Sequence, residues 1–130
     1  MNTILWLSDG FINVPSINLT FQAISSGLHY KAAQTVCVEG SGHLIYLNTA
    51  AKQSYITDHL SNAGISAEFH IGGQMLNAVT PTWLDGTAIV NPPWAPGEPH
   101  NNAKCISMII PSGEWKDDDC TAVKQYICEK

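Results

Sequence analysis

Four cysteines, Cys37, Cys105, Cys120 and Cys128, constrain what this chain can fold into more than any other feature. An even count points to disulfides and an oxidising compartment, but four cysteines allow three connectivities and spacing alone does not choose among them. Zinc is the competing use, and it wants cysteines separated by about two to four residues. The closest pair, Cys120 and Cys128, has seven residues between them. A redox pair needs C-x-x-C, which is absent. At 130 residues the chain has the length of one domain and can bury a real core, so disulfides assist the fold rather than replace it.

Charge narrows the partners. The net charge is −5, and all six basic residues are Lys. An acidic chain without Arg lacks the phosphate-neutralising patch that nucleic acid requires, and it has no attraction for an anionic membrane surface. The apolar runs are strand-sized, as at Ile106 to Ile110, and too short to cross a bilayer. Met1-Asn2-Thr3 does not open a signal peptide, so the cysteines imply a mature, secreted chain. Asn18-Leu19-Thr20 is an N-glycosylation sequon, which is compatible with secretion.

Periodicity and turn chemistry place the elements. Ile4 to Val14 reads as a hairpin turning at Asp9-Gly10. A strand follows at Phe21 to Ile24. Ser25-Ser26-Gly27 offers caps for a helix over about His29 to Val38. His43 to Leu47 is a short strand, and Asn48 or Thr49 caps a second helix that runs to about Leu60 and closes at Asn62-Ala63-Gly64. From Gln74 to Lys104 the chain is rich in Gly, Pro, Asn and Asp, and a loop of that length in a small domain is functional or disordered. Trp83 and Trp94 within it argue for order. Strands are expected at Cys105 to Ile110, from Trp115, and at Gln125 to Glu129.

Five segments then acquire meaning together. They are Tyr30-Lys31-Ala32-Ala33-Gln34-Thr35-Val36-Cys37, His70-Ile71-Gly72-Gly73, Pro93-Trp94-Ala95-Pro96-Gly97-Glu98-Pro99-His100-Asn101, Gly113-Glu114-Trp115-Lys116-Asp117-Asp118-Asp119-Cys120 and Tyr126-Ile127-Cys128-Glu129. In this order the chain resembles the C-type lectin family, with its first helix ending in cysteine and its W-I-G strand (here with His70 for Trp). The last three segments resemble its W-x-P-G-E-P-N-N, G-x-W-N-D-x-x-C and Y-I-C-E segments. The resemblance runs from roughly Phe21 to Lys130. It implies a single α+β domain over residues 1–130, with two helices, two small antiparallel sheets, a long loop and the disulfides Cys37–Cys128 and Cys105–Cys120. Residues 1–20 form an N-terminal extension.

In sugar-binding members a calcium ion in the long loop holds two sugar hydroxyls, ligated by Glu and Asn of E-P-N, a later Glu, and Asn and Asp of W-N-D. The resemblance puts Glu98 and Asp117 on two of those positions. His100 stands for the Asn of E-P-N, Lys116 for the Asn of W-N-D, and no acid lies between Glu98 and Cys105. Calcium prefers oxygen, and an ammonium beside two carboxylates takes over a cation's electrostatic role. The expected site is therefore a calcium-independent one, with no cofactor, in which Glu98, His100, Asn101, Lys116 and Asp117 bond sugar hydroxyls and Trp94 stacks on a pyranose face. The alternative retains a weakened calcium site on Glu98, Asp117 and Asp118. Glu98 leans toward mannose or GlcNAc, and shallow sugar sites imply a homodimer. A protein partner, or an ice or mineral surface, is the competing ligand. Hydrolase elbow, P-loop and H-E-x-x-H motifs are absent, and the resemblance assigns Glu98 and Asp117 to binding rather than to a glycosidase pair, so no enzyme is expected. His29, His43, His59 and His70 read as surface or satisfied core residues.

Overall fold

The computed structural model describes residues 5–6, 10–77, 80–100 and 104–130. Strands β1 (Leu5–Trp6) and β2 (Ile12–Val14) pair antiparallel, and residues 7–9 of the expected turn between them lie outside the described residues. A short 3-10 turn at Pro15–Ile17 leads into β3 (Leu19–Leu28) and then helix α1 (Tyr30–Glu39). Strand β4 (His43–Leu44) precedes helix α2 (Ala50–Asn62). The rest is β5 (Ala67–Met75), β6 (Pro81–Trp83), β7 (Cys105–Ile110), β8 (Trp115–Asp118) and β9 (Lys124–Glu129).

The two expected sheets are joined. The strand order is β1-β2-β3-β9-β5-β7-β8, with β4 on β9 and β6 on β5. The join is a two-residue parallel ladder, Phe69 to Gln125 and His70 to Tyr126, among antiparallel pairings. Gly72 lets β5 approach the segment after β4. Its N–H donates to Ile45 O at 2.7 Å, and a Cβ there would lie 2.5 Å from Leu44 O.

Local chemistry explains both helices. In α2 the Thr49 hydroxyl accepts from the Lys52 N–H at 3.1 Å, and the spacing of Ile56 and Leu60 gives one buried stripe. In α1 Tyr30, Ala33 and Cys37 form that stripe. The cap of α1 is His29, whose Nδ1 accepts from the Ala32 N–H at 3.3 Å, and not the Ser25-Ser26-Gly27 run expected from sequence. Those residues extend β3 instead, where Leu28 still pairs with Lys124 of β9.

The main core gathers Leu19, Phe21, Ile45, Ile56, Phe69, Ile71, Ile106, Met108 and Trp115 between α2 and the sheet. The two disulfides, Cys37–Cys128 and Cys105–Cys120, are those the resemblance implies. They lie in a second buried cluster with Tyr30, Leu44 and Tyr126.

His70, in place of the Trp of the W-I-G strand, is a core residue with a polar partner. It is 1% exposed, its Nε2 lies 2.8 Å from Leu28 O, and its ring meets Tyr30 edge-on at 5.3 Å. Burial holds the imidazole below its ordinary value. The Leu28 and Ala122 carbonyls and Asp118 pull it up, and Lys124 pushes it further down. A histidine with a lowered folded pKa is neutral in the fold, so the unfolded chain takes the proton first and stability falls as pH drops below about 6.5. His59, lowered by burial, acts in the same sense, and the exposed His100, described below, in the opposite one. His70→Phe removes only the His70 share. The stability gap between wild type and His70→Phe, measured by urea unfolding, is therefore expected to narrow from about pH 7.5 to about pH 5. A constant gap would show that His70 does not titrate with unfolding.

Candidate functional site

The stretch from Leu84 to His100 follows β6 and is pinned back onto β8. Trp115 N–H donates to Pro93 O at 2.8 Å and Ala95 N–H donates to Trp115 O at 2.8 Å, framing a bridge between Trp94 and Trp115. The Trp94 ring stands perpendicular to Trp115 at 6.4 Å. The loop then turns through Gly97, at φ +82, a left-handed conformation that favours glycine, and Glu98 N–H donates to Ala95 O at 2.9 Å. The Glu98–Pro99 bond is cis, so Glu98 and His100 flank one proline corner.

Asp117 faces that corner from β8. His100 donates its backbone N–H to Asp117 Oδ1 at 2.9 Å. The His100 Nδ1 lies 2.8 Å from Glu98 Oε1 and 2.8 Å from Asp117 Oδ1. The Asp117 side chain is fully buried at 0% exposure, Glu98 is 20% exposed and His100 45% exposed. A hydrogen bond to the Glu98 carboxylate raises the His100 pKa; partial desolvation opposes this, and the charges of Asp117, Glu98 and Asp118 reinforce it. The two carboxylates thus favour the protonated form of the imidazole.

The other candidates go elsewhere. Side chains alternate along β8, so Lys116 and Asp118 turn to the face opposite Asp117. There Lys116 Nζ lies 3.1 Å from Glu68 and 3.4 Å from Asp118, and Lys124 bonds Glu68 and reaches Asp118 at 2.6 Å. Burial opposes it, but hydrogen bonds from Lys124 and Lys116 hold Glu68 below its ordinary range; Asp118 is lowered against burial mainly by Lys124 and the Asp119 N–H. Lys116 and Asp118 are thus paired away from the Glu98–His100–Asp117 cluster. Asp119 caps the next turn through Thr121. Trp94 is half-buried and packs against the main core, which fits a loop anchor rather than a presented stacking face. Asn101 lies outside the described residues. A groove of about 430 Å³ nearby is lined by Leu47, Thr49, Gln53, Trp83, Val90 and Pro93, and none of the three site residues lines it.

Two polar clusters were not anticipated from sequence: the Glu68–Lys116–Asp118–Lys124 network, and a buried pair between Lys52 and Glu129. Each joins residues far apart in the chain, so no local pattern marks them.

Two helices, the joined sheets, the two disulfides and the pinned long loop define a C-type lectin-like domain. The family described as "Lectin C-type domain" matches residues 26–130, and the chain belongs to it. Hepatic lectin of Gallus gallus is 31% identical over 114 residues, covering 81% of this chain and 51% of its own. C-type lectin domain family 4 member G of Homo sapiens is 28% identical over 109 residues, covering 78% of this chain and 36% of its own. The chain thus spans about half or less of these relatives. Among solved structures, the mouse scavenger receptor C-type lectin carbohydrate-recognition domain superposes with a TM-score of 0.81 at 25% identity, covering 92% of each chain. A calcium-independent type II antifreeze protein gives a TM-score of 0.81 at 24% identity, covering 99% of this chain and 96% of its own, and shares the fold.

Proposed function

We propose that this domain binds glycans non-covalently, without requiring calcium, through Glu98, His100 and Asp117. The observation that carries the reading is the His100 imidazole placed 2.8 Å from each of the two carboxylates. A sugar hydroxyl is both donor and acceptor, and neighbouring hydroxyls want alternating partners. The Glu98 carboxylate accepts and the imidazole donates when protonated, while the buried Asp117 holds His100 in place. Charged partners make these the stronger class of hydrogen bond. Calcium prefers oxygen ligands, and here one of the three candidate side chains offers a nitrogen. The family, and a relative and a structural neighbour named as a hepatic lectin and a carbohydrate-recognition domain, support a sugar ligand.

Glu98 leans the choice toward mannose or GlcNAc. Shallow sites gain strength by multiplicity, so a homodimer is part of the proposal, with the N-terminal strands as its candidate interface. Two disulfides suit secretion, and among the described residues no helix is long and apolar enough to cross a membrane. Recognition without turnover is the proposed activity. The second reading, a protein partner or an ice surface, draws on the antifreeze proteins that share the fold.

A glycan array run with and without EDTA tests the proposal. Binding is expected to persist in EDTA. Glu98→Ala removes a charged hydrogen-bond acceptor worth roughly 1.5–3 kcal/mol, so affinity is expected to fall at least about tenfold. An inert array with folded protein would sink the glycan reading, and loss of binding in EDTA that added calcium alone restores would sink calcium independence.

A further inference from the structure

We propose that Glu98, His100 and Asp117 form a site for a borderline divalent cation of the zinc class, selected over calcium. The inference uses the side chains of the glycan reading but does not depend on sugar binding. Each of the three offers one ligand atom, and these atoms lie within 4.8 Å of one another. Imidazole nitrogen with two carboxylate oxygens is a donor set that zinc accepts, and three protein ligands leave a fourth position open. Calcium, which prefers oxygen, finds a nitrogen among the three side chains.

The geometry is close to what such an ion needs. Tetrahedral bonds of about 2.0–2.1 Å put ligand atoms ~3.3 Å apart. The His100 Nδ1 is 2.8 Å from each carboxylate, the separation of a shared proton, so the atoms must part by about half an ångström for the ion to replace it. Asp117 is the fixed point, fully buried and bonded to the His100 backbone N–H. Such an outer hydrogen bond orients a ligating carboxylate. Glu98 and His100 sit on the exposed loop and can adjust around it. The ammonium groups of Lys116 and Lys124 are paired with Glu68 and Asp118 on the opposite face of β8.

The test is calorimetric titration of zinc chloride, and separately calcium chloride, into the intact chain in a non-chelating buffer. A saturable one-site zinc isotherm is expected, with calcium binding more weakly. His100→Gln and Glu98→Gln, with folding checked by circular dichroism, are each expected to weaken zinc at least about tenfold, since even losing an outer-shell partner costs about 10–100-fold. Absence of a zinc isotherm, zinc affinity unchanged in both variants, or calcium tighter than zinc overturns the proposal. The glycan array reads the other question: an array inert both with and without EDTA, beside an intact zinc isotherm, removes the sugar reading alone.

Discussion

Replacing Cys37 and Cys128 together by alanine is expected to lower the unfolding free energy by roughly 4–5 kcal/mol. The two residues are 91 apart, so the bond closes most of the chain into one loop. Closing a loop removes conformations from the unfolded chain, and the effect grows with the logarithm of loop length. Cys105–Cys120 closes only 15 residues and is expected to contribute about 3 kcal/mol. The long-range bond also fastens α1 to β9, and both its sulfurs are buried among Tyr30, Leu44 and Tyr126. Domains of this size are stable by about 5–15 kcal/mol, so the loss is a large fraction of the total. Urea unfolding of the two double-alanine variants checks the prediction. If Cys105→Ala/Cys120→Ala proves the more damaging, loop length does not govern the effect.

How far the sequence foretells the structure depends on the range of the signal. Helix α2 is legible because Thr49 caps it and Ile56 and Leu60 repeat on one face, all within a few turns. Strand β7 is legible as a compact apolar run. The parallel ladder between β5 and β9 rests on two residue pairs about 56 positions apart, which no local pattern marks. Serine caps helices well, which puts the expected cap of α1 at Ser25 or Ser26, yet the β3–β9 pairing claims that stretch and passes the role to His29.

The site divides along the same line. Glu98, His100 and Asp117 offer ligand atoms within 4.8 Å of one another, and each stands at a position that the motifs of the resemblance mark. Lys116 and Asp118 are adjacent to Asp117 in sequence, which invites assigning all three to one site. The two-residue period of β8 sends them to the other face, where Glu68 and Lys124 complete their charges. The Asp117-Asp118-Asp119 run is thus three residues with three separate partners: the loop corner, the lysines and the Thr121 turn.

Lys52→Met is expected to destabilise the domain by roughly 3–5 kcal/mol, because it strands a buried carboxylate. Lys52 lies in the first turn of α2, where the helix dipole disfavours a cation, so its position needs another explanation. Glu129 at the end of β9 supplies one. One Glu129 oxygen accepts from the Tyr46 N–H at 2.9 Å, and the other meets the Lys52 ammonium directly. The two side chains are only 12% and 7% exposed. Without Lys52 the carboxylate keeps one backbone donor and loses its counter-charge away from water. Glu129→Gln keeps an acceptor for Tyr46 and leaves Lys52 with a long stem that can carry its charge outward, so its expected cost is smaller. Lys52→Met/Glu129→Gln removes both charges and is expected to recover much of the loss, since replacing a buried pair is far cheaper than breaking it. The double-mutant cycle, read by urea unfolding, should give a coupling energy well above the few tenths of a kcal/mol of independent sites. Were Lys52→Met to unfold within about 1 kcal/mol of wild type, the pair would rank with surface ion pairs, and the attachment of α2 to β9 would rest on packing alone.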